Sequence, residues 1–64
     1  MTETLKQEIV SCISDEEHDT EKYKRMAEEA ETCGCDRMAG VLRDIAKEEG
    51  SHKKLLSEMI SGKF

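Results

Sequence analysis

The stretch IVSCISDEEHDTEKYKRMAEEA, residues 9–30, decides the fold. Within it Ile9, Ile13, Glu16, Thr20, Tyr23, Ala27 and Ala30 recur at alternating steps of four and three. That is the period of a helix packing one stripe against a neighbour. A second stretch, MAGVLRDIAKEEGSHKKLLSEM at residues 38–59, repeats the pattern through Met38, Leu42, Ile45, Glu49, His52, Leu56 and Met59. Leu5, Met26, Val41, Leu55 and Ile60 widen the two stripes. Between them, Cys33-Gly34-Cys35-Asp36 interrupts the periodicity.

The spacing predicts a helix over about 4–32, a turn at about 33–35 and a helix over about 36–61. Thr4 with Gln7 reads as a capping box, Asp36 or Cys35 as the second N-cap, and Gly62 as the final stop. Ser14 with Glu17 reads as another box, where the first helix could begin late or bend. The expected fold is all-α: one antiparallel two-helix hairpin over residues 1–64, pairing with other copies into a four-helix bundle.

Composition explains why pairing is expected. Of 64 residues, 36% are hydrophobic and 39% charged, and Tyr23 and Phe64 are the only aromatics. A chain this short and polar buries little alone and needs a metal, a disulfide or a partner. There is no proline and glycine occurs four times, as suits long helices. The net charge of −5 argues against nucleic acid and anionic membranes as partners. No apolar run reaches the length of a membrane span and no signal-peptide pattern opens the chain, so the expected location is the cytoplasm. Three cysteines do not make a disulfide framework.

Each stripe is apolar or small except at one level. Glu16 lies 18 residues before Gly34, His52 lies 18 after it and Glu49 lies 15 after it. At about 1.5 Å per residue, folding at Gly34 puts Glu16 and His52 roughly 27 Å from the turn, with Glu49 one turn nearer. Two carboxylates and an imidazole thus meet in an apolar seam. Buried carboxylates are costly unless paired or bound to a cation. The donor set suits iron or manganese, and zinc less exclusively.

One hairpin offers three ligands, which is thin for a stable site. Two hairpins about a two-fold axis offer four Glu and two His, enough to neutralise two divalent ions. That is the ligand plan of di-iron carboxylate bundles: single Glu residues from two helices and Glu-x-x-His from the other two. Glu-x-x-His alone is weak, because with 11 Glu in the chain a His meets it by chance roughly one time in six. Asp15-x-x-His18 has ligand spacing too, but it lies off the seam, and His18 reads as a solvated surface residue. The alternatives to a metal are a satisfied buried polar cluster or a mis-drawn stripe.

From Glu16 to Leu56, about two-thirds of the chain, the sequence resembles the ferritin-like domain of rubrerythrins. The matching positions are Glu16, Tyr23, Ala27, Ala30, Gly34, Ala39, Ala46, Glu49 and His52. The resemblance implies that Glu16 is the first-helix carboxylate ligand, Glu49 the carboxylate bridging the metals and His52 the imidazole ligand. It implies that Tyr23 hydrogen-bonds a ligand carboxylate; otherwise Tyr23 is a plain core aromatic. Asp19 matches a position where one half of the rubrerythrin site carries an extra Glu, and is expected just outside the ligand set or as an occasional ligand.

The implied function is that of a non-haem di-iron protein reacting with peroxide or oxygen, by peroxide reduction or as a ferroxidase. The implied cofactor is two irons per pair of hairpins. Rubrerythrins have two such hairpins per chain where this chain has one, in which it is similar to encapsulated ferritins, whose site forms between subunits. They also carry an iron–sulfur rubredoxin domain, for which this sequence has no Cys-x-x-Cys pairs. A separate electron donor is therefore expected. The alternative function is a metal-stabilised helical dimerisation module without turnover, and a further one is a metal-free hairpin that binds a partner.

Cys33-Gly34-Cys35 reads as turn residues, with a redox-active or thiophilic metal site as the alternative. Cys12 reads as a small buried residue at the seam edge, and Met26, Met38 and Met59 as core filler. Gly40 and Gly50, inside the second helix, suggest close helix approach or a local bulge beside Glu49.

Overall fold

The computed structural model describes residues 1–63, leaving Phe64 outside. Two antiparallel helices, α1 (Glu3–Thr32) and α2 (Asp36–Ile60), form an all-α hairpin. Its extents are 48 × 17 × 11 Å.

The helix ends follow from local chemistry. Thr2, not Thr4, is the N-cap of α1, with its hydroxyl accepting from the Leu5 amide at 3.1 Å. Both threonines have capping chemistry, and the earlier one adds half a turn of helix. The helix runs unbroken through Ser11 and Ser14, so no late start or bend occurs there. At the turn the Cys35 amide bonds Ala30 O at 2.8 Å and the Gly34 amide bonds Glu31 O at 3.0 Å. With Gly34 at φ 79° this is a Schellman stop. Lys63, Gly62 (φ 77°) and the Glu58 and Met59 carbonyls repeat it after α2, where Gly62 was expected to end the helix. Cys35 is the N-cap of α2 and makes no side-chain capping bond.

The hairpin interior is made of small residues. Ala27, Ala30, Ala39 and Ala46 are the buried apolar side chains among the described residues. They let the helices approach closely, and they set the rotation of α2. The line of α2 that faces α1 runs through Ala39, Leu42, Ala46, Glu49, Lys53, Leu56 and Ile60, all buried or half-buried. This corrects the expected stripe: Met38 is 60% exposed and His52 is exposed, while Leu42, Glu49 and Leu56 belong to both lines. Met26 and Met38 are therefore not core filler in the hairpin, and only Met59 is half-buried. Cys12 is exposed, not buried.

Two exposed ion pairs cross the hairpin. Arg43 pairs with Glu31 near the turn, and Lys53 Nζ lies 3.0 Å from Glu17 Oε1 near the other end. Each contributes at most about 1 kcal/mol, so they fix register more than they stabilise. Lys53 half-buries its stem on the inner line while its head reaches the pair. No helix of the described residues is long and apolar enough to cross a membrane.

A Cβ added at Gly40 or Gly50 would meet nothing within 4 Å, so neither glycine serves close approach inside the hairpin, and α2 is continuous α-helix there. Gly40, which is exposed, therefore carries the helix cost of glycine without an offset. Gly40→Ala is expected to stabilise the protein by about 1 kcal/mol in urea unfolding. A loss of stability would mean that Gly40 is covered by another molecule.

Candidate metal centre

Glu16 sits halfway along α1, where Thr20 turns its hydroxyl back to the Glu16 carbonyl at 2.8 Å. That bond satisfies Thr20 on the backbone, so the threonine hydroxyl is spent and the carboxylates are left to meet one another. Glu49 comes from the inner line of α2, and His52 from one turn further on. One ligand atom from each of Glu16, Glu49 and His52 falls within 4.8 Å of the others. The three residues matched by height along the seam are thus brought together. His52 Nδ1 lies 3.8 Å from Glu16 Oε2.

The cluster is electrostatically uncomfortable as it stands. Glu16 Oε2 is buried and has no hydrogen-bond partner among the described residues. Glu49 is pushed above the ordinary carboxyl value of 4.5, chiefly by sharing a hydrogen bond with Glu16. Desolvation adds to the rise, as do the charges of Glu16 and Asp19, while His52 opposes it. A proton held between two carboxylates is a stand-in for a cation. Neighbouring ligands of one tetrahedral ion with bonds near 2.1 Å lie about 3.4 Å apart. Side-chain movement of up to roughly 1.4 Å would close the group on an ion, and the donor set of two carboxylates and an imidazole fits one.

The raised Glu49 value fixes the sign of a pH effect. Between 4.5 and the raised value, the folded metal-free protein binds more protons than the unfolded chain. The contribution of Glu49 to stability is fully present below about pH 4.5 and is lost as pH rises through the folded value. Thermal unfolding of metal-free protein should show a midpoint that declines from pH 4.5 upward. Metal affinity should rise over the same range, because the ion displaces the proton.

The family model for rubrerythrin matches residues 9–64. The chain belongs to the rubrerythrin family. No curated protein and no solved structure matches it. For a rubrerythrin-family chain the carboxylate–histidine group is the chemistry to expect, and family and geometry together point to a metal-binding protein of di-iron type.

The other expected residues fall outside the group. Asp19 is half-buried on α1 and reaches Glu49 through charge rather than through the three-residue cluster. Tyr23 is half-buried, and it is not the partner that Glu16 Oε2 lacks. His18 is exposed and outside the cluster. The neighbour that sequence reasoning missed is Lys53, whose pairing with Glu17 brings a cation one residue from both Glu16 and His52. Its signal was present: Lys53 falls on the alternating line through Ala39 and Ala46.

Proposed function

We propose that this chain supplies half of a di-iron site, and that a second copy about a two-fold axis supplies the rest. The supporting observation is the buried, unpartnered Oε2 of Glu16 beside Glu49 and His52. Glu16 and Glu49 would hold the metals through their carboxylates and His52 through its imidazole. Asp19 stands ready as an occasional ligand, and Tyr23 holds a ligand carboxylate once the bundle closes. Iron fits best for this family and donor set, with manganese and zinc as chemical competitors.

The need for a second copy rests on surface. The hairpin has 4902 Å² of accessible area, against about 4200 Å² for a compact monomer of 7.3 kDa. The excess is close to the roughly 800 Å² that each partner loses in a standard interface. Leu5, Met26, Val41 and Leu55, four of the five side chains that widened the stripes, and Met38 of the α2 stripe are 39–60% exposed. Met38, Val41, Ile45, Glu48, His52, Leu55 and Met59 form a second line on α2, and Leu5, Ile9, Cys12, Glu16, Asp19, Tyr23 and Met26 form one on α1. Each outer line is mainly apolar and carries its polar residues at the level of the cluster. Covering these faces with a second hairpin encloses His52 and Asp19 beside a second set of carboxylates.

Bound iron would supply two electrons per pair for reduction of peroxide or oxygen, the chemistry of peroxide reduction or ferroxidation. The chain's own residues bind the ions, hold their charge with four carboxylates per pair and keep water from the apolar seam. Electrons for repeated turnover come from a separate donor protein. Adding peroxide to anaerobic ferrous-loaded protein tests the redox reading: the absorption of ferric iron should grow in step with the peroxide added. Inert spectra would assign the metal a purely structural role.

A further inference from the structure

Cys33 and Cys35 play no part in the metal centre, which lies roughly 27 Å along the helices from the turn. The turn itself brings them together. Cys33 ends α1, Cys35 caps α2, and Gly34 between them takes φ 79°, a left-handed conformation that folds the chain back. The two sulfurs lie 2.8 Å apart as free thiols. Thiolates sharing a tetrahedral zinc, with bonds of about 2.3 Å, stand about 3.8 Å apart. The observed pair is too close to hold an ion and is poised for a bond between the sulfurs.

We infer that Cys33 and Cys35 are a reversible dithiol–disulfide couple that exchanges with low-molecular-weight disulfides. Their surroundings divide the work. Cys33 is exposed and open to attack or approach, and Cys35 is half-buried behind it. Cys33, at the C-cap of α1, gives its S–H to Ala30 O at 3.3 Å, and Cys35, at the N-cap of α2, makes no capping bond to the helix amides. Cys35 holds its proton more tightly than an ordinary thiol, first because of its hydrogen bond with Cys33 and then because of the charge there. The greater exposure of Cys33 makes it the attacking sulfur and Cys35 the resolving one.

The exchange balances without the iron. The Cys33 thiolate attacks one sulfur of oxidised glutathione, the glutathione S–S bond breaks, and one glutathione thiolate leaves. Cys35 gives its proton to water and attacks Cys33 Sγ, and the second glutathione thiolate leaves. Two electrons pass from the protein dithiol to the small disulfide. The products are one intrachain disulfide and two reduced glutathiones. A disulfide spanning a single residue closes a tight ring, the labile kind suited to reversible rather than structural use.

The test uses the metal-loaded full chain with Cys12→Ser, which removes the third thiol. After reduction, the protein is exposed to excess oxidised glutathione, alkylated and weighed intact. Alkylation adducts should fall from two to none, with a mass lower by two hydrogens and no glutathione retained. With Cys35→Ser added, glutathione should stay on Cys33. Two surviving adducts, retained glutathione on the chain that keeps both thiols, or disulfides joining two chains would each overturn the inference.

Discussion

Chelating the metal from the assembled protein is expected to remove about half or more of its helical circular-dichroism signal at 25 °C. The hairpin's buried apolar side chains are four alanines, and no large side chain is fully buried among the described residues. Alanine burial stabilises little, because each methyl removes little apolar surface from water. The cross-hairpin ion pairs are exposed and add at most about 1 kcal/mol each. A metal present at about 1,000 times its dissociation constant adds about 4 kcal/mol, which is comparable to the whole stability of a chain this small. Restoring ferrous iron should restore the signal. Full helicity in the presence of chelator would mean that packing between hairpins suffices and that the metal stabilises nothing.

The second large effect changes sign with metal. Glu49→Gln keeps the shape of the protonated carboxyl and removes the charge that Glu16 repels. Without metal, at pH above the raised Glu49 value, the variant should unfold at a higher temperature than the parent, and the pH decline should flatten. With metal the order reverses. A carboxamide cannot neutralise a shared cation, and metal affinity should fall at least about 100-fold, more than is typical for losing a residue that merely supports a ligand. His52→Ala separates the two effects. His52 has a side chain 58% exposed, so its loss should leave the metal-free hairpin unchanged while weakening metal binding. If Glu49→Gln bound metal as tightly as the parent, Glu49 would not be a ligand.

Sequence periodicity was enough for two helices, a turn at Gly34 and the meeting of Glu16, Glu49 and His52, because helical rise converts residue counts into height. It was not enough for the rotation of α2. Two lines with the same four-three alternation share Leu42, Glu49 and Leu56, and hydrophobicity favours the one through Met38. Close packing of Ala27 and Ala30 against Ala39 and Ala46 selects the other, since small residues allow backbones to approach. That rotation moves His52 to the rim of the hairpin, and with it the open side of the candidate centre. The N-cap was misplaced by one threonine because Thr2 and Thr4 have the same chemistry, and only backbone geometry chooses. Cys12 was assigned to the interior from its place near the seam, yet it lies on the outer line. The closeness of Cys33 and Cys35 depends on the left-handed turn at Gly34, which spacing suggests but does not establish.

The central claim is that one hairpin holds half of a di-iron site. Iron content and native mass, measured together on protein purified without added metal, test it most directly. The account predicts one iron per chain in an assembly with an even number of chains, the smallest being twice the 7.3 kDa chain. A metal-free 7.3 kDa monomer that stays helical would contradict it.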